Sequence, residues 1–308
     1  MKLFLNFSKK LIRSGDVCYL KKILKKNFIL QYSVAVGDCK SFRISMDNDY
    51  ISPKGHIFKK QHLKAQFSRT IKQCLSEKLA VMEFTWQKVR FSSQNEGMAL
   101  KPLDFTFAEQ LTFSHFKVYP SAVFKLKDII HQDDFSGSNI GVHYDSLLST
   151  ASVNLLYMLS WDVIGFEEMS SHIGTSFSKF NNVGGTAEIS SISDTYAQLE
   201  FKDCADNSFF RNGKYEAIFL GIGLVSSRLV AIFEYRCAGE LQVYVAGSER
   251  LKSQTGSSYY FGKIFIDLED GDIVFGDMIE IITAIITNDK GKLYPQYKRR
   301  VVRIEKII

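Results

Sequence analysis

The run Tyr259 to Leu268 sets Tyr260, Ile264, Ile266 and Leu268 on one face and Phe261, Lys263, Phe265 and Asp267 on the other. That period of two predicts a strand. Asp270-Gly271 follows and predicts a tight type I′ hairpin, in which both central residues take positive φ. Ile273 to Thr287 then returns, dense in β-branched residues that are stiff at χ1 and suit a pleated surface. Unbroken, its 15 residues would reach about 50 Å at roughly 3.3 Å each, so a bulge is expected near Gly276. From Met278 to Ile286 both faces are apolar, which predicts cover on both sides. Asn288 to Gly291 turns the chain into a third strand, Val301 to Ile307, and the closing piece reads as an antiparallel meander.

The same alternation recurs earlier. Leu20 to Leu24, with Lys21, Lys22, Lys25 and Lys26, reads as a short basic amphipathic helix leading into a first strand, "FILQYSVAV". Pro53-Lys54-Gly55 is a turn. "QFSRTIKQC" and "LAVMEFTWQKVRF" are two strands joined at Ser76-Glu77-Lys78, and "LTFSHFKVY" and "SAVFKL" are two more, broken at Pro120. The centre changes period. After Asp145-Ser146, an N-cap signal, Leu148, Ala151, Leu155 and Leu159 recur at helical spacing, and beyond Gly165 so do Phe166, Met169, Ile173 and Phe177. Two helices joined near Gly165 are expected. Strands resume at "TAEISSI", "YAQLEF", "YEAIFLG" and "RLVAIFEY".

These patterns predict an α+β fold, mostly antiparallel sheet as a sandwich or partly open barrel, with a central helical pair near 146–180. The chain divides into a basic segment 1–26, a β-rich half 27–145, a helical connection 146–180 and a β-rich half 181–308, or it forms one domain. "SEKLAVMEF" at 76–84 and "SDTYAQLEF" at 193–201 share Ser, Ala, Glu and Phe without gaps. Duplication of a half-domain and two independently arising hairpins are both open readings of that echo.

Charge changes the picture at the ends. Residues 1–26 carry +7 and residues 290–308 carry +6, so with a net charge of +6 the body between them is −7. Lys21, Lys22, Lys25, Lys26, Lys298, Arg299 and Arg300 would steer the protein to phosphates of an anionic membrane or a nucleic acid. The plainer reading makes them edge-strand lysines and solvated helix faces. Composition adds less: 45% hydrophobic residues, 25 Phe and 14 Tyr fit a large, aromatic-rich sheet core. Cys18, Cys39, Cys74, Cys204 and Cys237, odd in number and without a CxxC pair, read as buried thiols in a reducing compartment. Leu3 to Phe7 is too short for a signal-peptide core, and no stretch reaches the roughly 18 apolar residues of a membrane span, so a cytoplasmic location is expected.

Motifs of catalysis are missing: there is no GxxxxGK[ST], HExxH, GxSxG or paired CxxC. Gly221-Ile222-Gly223 follows a strand, but Ser226 stands at the third glycine position and another strand follows, so a β-turn is expected there in place of a dinucleotide loop. The candidate metal set is His131, Asp133, Asp134, His143 and Asp145, imidazoles and carboxylates within 15 residues around the turn Ser136 to Asn139. Such ligands suit zinc, iron or manganese. A solvated loop contains the same residue types, and Asp145 also serves as a cap. His56, His62, His115 and His172 are scattered, as surface or satisfied core histidines are. The sequence therefore leans away from catalysis, names no cofactor, and leaves three classes: a β-rich binding or interaction protein for an apolar ligand or a protein partner, a metal-dependent enzyme on the His/Asp loop, and a peripheral membrane or nucleic-acid protein.

Overall fold

The computed structural model describes residues 35–76, 79–103, 112–118, 150–176, 179–180, 183–190, 192–199, 204–205, 207–226, 228–244, 253–268 and 270–307. Their elements are β1 (Cys39–Ile51), β2 (Ile57–Ser76), β3 (Leu79–Asn95), β4 (Lys101–Leu103), β5 (Thr112–Val118), α1 (Thr150–Thr175), β6 (Thr186–Glu188), β7 (Tyr196–Gln198), β8 (Phe209–Val225), β9 (Arg228–Tyr244), β10 (Ser253–Asp267), β11 (Ile273–Thr287) and β12 (Leu293–Lys306).

Every strand pairing is antiparallel, and the order β4-β3-β2-β1-β12-β11-β10-β9-β8-β6 makes one sheet. β5 shares the β3 edge and β7 the β8 edge. First and last strands meet in the middle, where β1 pairs β12 from Phe42↔Lys306 to Ile51↔Tyr297. Among the described residues the two edges do not pair, so the sheet is open.

It curls around α1. The helix touches β5 at one edge and β10 and β11 further along, and β2 and β12 each send an arginine to it. From Leu155 to Gly174 its side chains are buried on nearly every side, with a partly exposed stripe at Met158, Trp161, Gly165 and Glu168. A helix covered on nearly every side belongs in a core, and its buried Asp162 and Glu167 are each paired with an arginine of the sheet. Its serines need no other partner there: Ser160 Oγ donates to the Leu156 carbonyl and Ser171 Oγ to that of Glu167.

Three corrections concern this region. The expected helical pair is one helix running through Gly165, because that glycine lies on the partly open stripe with nothing within 4 Å of an added Cβ. Packing on the other faces outweighs a propensity cost of about 1 kcal/mol. The expected sandwich or barrel is a single open sheet wrapped on that helix. Cover on both faces of β11 is also absent: Gly276, Ile282 and Ala284 face the helix side, while Ile281 and Ile285 on the outer face are exposed.

Smaller departures have local causes. β11 has the expected bounds, and its bulge falls at Val274, since Phe265↔Phe275 is followed by Ile266↔Ile273. The turn before it is wider than a two-residue type I′ hairpin: Gly271, at φ 70°, donates its N–H to the Asp267 carbonyl at 2.9 Å, and Asp267 N–H reaches the Asp272 carbonyl at 2.8 Å. Gly221 and Gly223 lie inside β8, not at a β-turn; Gly221, φ 124°, follows a register shift from Phe219. Of the cysteines, Cys237 is buried, whereas Cys39 and Cys74 are exposed and Cys204 is half-covered; Cys18 lies outside the described residues. The two segments of the echo fall on β3, 17 residues long, and on β7, three residues long.

Candidate functional site

Antiparallel register stacks the inner face of the sheet into layers across the strands. The middle layers are apolar: Leu63, Met46, Val302 and Met278 form one, and Ala65, Ile44, Ile304, Gly276, Ile264 and Phe233 the next. Phe166 of α1 rests on the second, where Gly276 leaves room: a Cβ there would lie 2.8 Å from the ring and 3.0 Å from Ile304. Polar layers lie at both ends of this floor.

At the end near the β2–β3 and β10–β11 turns, charges are matched. Arg69 donates to Glu167 of α1 and to Asp272, both at 2.7 Å, and all three are buried. Lys306 binds Asp270 at 2.8 Å, Lys40 contacts Asp270 and Asp272, and Arg228 contacts Asp267 and Asp270. Four cations meet four carboxylates. Burial and Asp272 push the Asp270 carboxyl up, yet Lys306 outweighs them and its pKa falls. The clamp ties β1, β2, β9 and β12 to the β10–β11 turn and to the helix.

The opposite end differs. Its inner layer is Gln61, Asn48, Arg300, Glu280, Tyr260 and Cys237. Arg300 donates to Glu280 at 2.5 Å and to both oxygens of Asp162 on α1 at 2.7 and 2.5 Å, while Ser258 Oγ donates to Glu280 at 2.6 Å. Burial lifts the Asp162 carboxyl to about 6 against the pull of Arg300. The same pair raises Arg300, and its two-point hold on Asp162 fits an ionised carboxylate at neutral pH. Burial also opposes charge on Glu280, but Arg300 and Ser258 keep its carboxyl below the ordinary range. Asn48 Oδ1 and Arg300 Nε, on directly paired residues, are buried with no hydrogen-bond partner.

One layer outward stand Lys59, Tyr50 and Lys298, side by side on β2, β1 and β12. Both ammonium groups lie over the Tyr50 ring, at 5.2 and 5.4 Å from its centroid, and the phenol donates to Gln61 at 3.1 Å. Neither lysine has a carboxylate within ion-pair distance among the described residues. Lys298 Nζ lies 3.9 Å from Met158 Sδ, at the start of the half-exposed stripe of α1. Burial, with the like charge of Arg300, lowers the Lys298 ammonium to about 7; part of the residue remains exposed, which tempers that environment.

The sequence marked three of these neighbours for charge alone. Strand alternation separates them: Lys298 and Arg300 face inward, and Arg299 faces outward to Asp49 at 2.8 Å. Tyr50, Lys59, Asp162 and Glu280 were missed, since no motif or local spacing joins four residues on four different elements. His131, Asp133, Asp134, His143 and Asp145 lie outside the described residues, as do Lys21, Lys22, Lys25 and Lys26. Among the described residues no cluster of three or more His, Cys, Asp or Glu side chains is arranged to hold a metal ion, and no helix is long and apolar enough to cross a membrane. Of the scattered histidines, His172 is buried and His62 Nδ1 meets Asp47 Oδ1.

No family model matches the chain, and no curated protein matches it. Among solved structures it is similar to one described as lipid–protein interactions in lipovitellin, at 10% identity and a TM-score of 0.41, over 90% of this chain and 26% of that one. It thus spans about a quarter of that protein. A putative lipoprotein from Parabacteroides distasonis (8% identity, 91% of this chain and 98% of that one, TM-score 0.22) and an outer membrane channel from Pseudomonas putida F1 (8%, 90% and 98%, 0.18) are looser still. Likenesses of this size carry no argument, and the functional reading rests on geometry.

Proposed function

We propose that this β-rich protein is a non-catalytic binding protein whose ligand is an amphiphile with an acidic headgroup. The layer Lys59–Tyr50–Lys298 carries the reading: two half-buried cations share one aromatic ring, face the interior and, among the described residues, have no carboxylate in ion-pair contact, Asp162 and Glu280 acting on Lys298 only from beyond that distance. An unmatched buried charge is costly to keep unless something pairs with it. A carboxylate or phosphate between the two ammonium groups would supply that pairing. The apolar chain would lie along the half-exposed stripe of α1, past Met158, Trp161 and Gly165, where the absent side chain of Gly165 leaves space. The unpartnered Asn48 Oδ1 and Arg300 Nε one layer deeper add a donor and an acceptor for a polar group.

The test is displacement of a fluorescent long-chain carboxylate, with the matching long-chain alcohol as control. Lys59→Gln and Lys298→Gln should each weaken carboxylate binding about 10- to 100-fold, the worth of a hydrogen bond to a charged group, and leave the alcohol unchanged. Equal affinity for acid and alcohol, or indifference to both substitutions, would remove the headgroup site.

A further inference from the structure

We infer that the rim beyond this layer, formed by three hairpin tips, is a docking surface for an anionic lipid membrane. The observations are independent of the interior site. Strand register brings the tips to one end of the sheet: Ile51 lies opposite both Ile57 and Tyr297, Lys59 opposite Asn95, and Thr287 opposite Leu293. They belong to β3, β2, β1, β12 and β11, five consecutive neighbours in the sheet.

Each tip sets an exposed lysine beside exposed apolar side chains. The first has Lys54 with Ile57 and Phe58, the second Lys101 with Met98 and Leu100, and the third Lys290 and Lys292 with Leu293 and Tyr294. Met98 and Leu293 are 63% and 62% exposed. Scattered apolar residues on a surface need no explanation, but concentration on the tips of one rim does. Toward the opposite end, among the described residues, the exposed large apolar side chains are Val36, Leu224 and Val183 beside Gly221, and none of them sits next to an exposed lysine on a shared hairpin tip.

Charge selects the occupant. The tips and their flanks expose Lys54, Lys60, Lys101, Lys290 and Lys292 against Glu96 and Asp289. Long lysine stems keep their charge at headgroup level while neighbouring apolar groups enter the acyl boundary. Lys292 already holds that posture, its Nζ 5.1 Å from the Tyr294 ring centroid. A protein partner would be expected to bring carboxylates into a shaped pocket. Three separated tips with apolar ends suit a planar, deformable, anionic surface better. Docked this way, the Lys59–Tyr50–Lys298 layer would face the bilayer.

The experiment is co-sedimentation of the full chain with phosphatidylcholine vesicles with and without about 30 mol % phosphatidylglycerol, across a salt series. Wild-type protein should bind the anionic vesicles and lose binding as salt rises. Combining Lys54→Gln, Lys290→Gln and Lys292→Gln should lower partitioning about 100-fold, at roughly fivefold per charge near the surface. Leu293→Ser and Met98→Ser should each lower it about tenfold through lost apolar insertion, with unchanged thermal unfolding because both side chains are largely exposed. No vesicle binding, or equal binding to neutral and anionic vesicles, would overturn the proposal. So would capture of an RNA oligonucleotide that depends on the lysines and ignores Leu293 and Met98. The tip substitutions should leave the soluble carboxylate probe bound as before, so failure of docking and failure of the headgroup site read out separately.

Discussion

The two ends of the curled sheet carry the same kinds of side chain and use them differently. At the clamp end, Arg69, Lys40, Lys306 and Arg228 are matched by Glu167, Asp272, Asp270 and Asp267. At the opposite end, the mouth of the proposed site, Arg300 is matched by Asp162 and Glu280, but Lys59 and Lys298 stand over the Tyr50 ring without an ion-pair contact among the described residues. Neutralised buried charge fixes the position of the helix. Charge left over on the same face is what a ligand can use. The distinction lies in pairing, because residue type and burial overlap between the two ends.

The largest effect expected from breaking this contrast is at the clamp. Arg69→Ala removes the guanidinium that Glu167 and Asp272 share and should cost about 3–5 kcal/mol in urea unfolding; a loss under about 1 kcal/mol would mean the clamp is ornamental. Next comes the apolar floor that separates the ends. Gly276→Ala drives a methyl into Phe166 and Ile304 and should cost about 1–3 kcal/mol, less in a Phe166→Leu background, where a double-mutant cycle would show the coupling.

A pH series sharpens the mouth. Asp162, with a folded pKa of about 6 against an ordinary 3.8, stabilises the fold while protonated, fully below pH 3.8, and that contribution is lost as pH rises through 6. Lys298, about 7 against 10.5, contributes as the neutral amine above 10.5, and that contribution is lost as pH falls through 7. Together they place a shallow stability minimum between pH 6 and 7. Chemical unfolding across pH 4 to 10 should show the alkaline rise disappear in Lys298→Gln and the acidic limb persist. The smallest effect is that of Lys59→Gln, which should leave stability within about 0.5 kcal/mol while weakening the carboxylate probe. A large loss of stability would make Lys59 structural and erase the contrast.

Much of the sheet was legible from the sequence. β2 and β3, β8 and β9, and the closing meander all announce themselves by alternation, and Pro53-Lys54-Gly55 and Asn288 to Gly291 by turn chemistry; Gly55 and Gly291 take the positive φ such turns need, at 83° and 72°. The site was not legible in that way. Lys59, Tyr50, Lys298 and Asp162 are joined by register and by the docking of a helix, and each alone looks like an ordinary strand or helix residue.

The sequence by itself determined most of the strands from β2 onward, where several of them turn, and that the stretch around 150–175 is helical, because these follow from local periodicity and backbone preference; it did not reveal β1 (Cys39–Ile51), since the first strand it suggested, residues 28–36, lies mostly outside the described residues and is not strand at Ala35 and Val36. Tertiary structure alone decided that the sheet stays open and curls around that helix, that Gly165 continues the helix in place of breaking it, and that the outer isoleucines of β11 face solvent. It also decided which cations find carboxylates and which do not. Pairing depends on inter-strand register and on the rotation of α1 against the sheet, and those are set by packing summed over the whole core, which no short window of sequence contains.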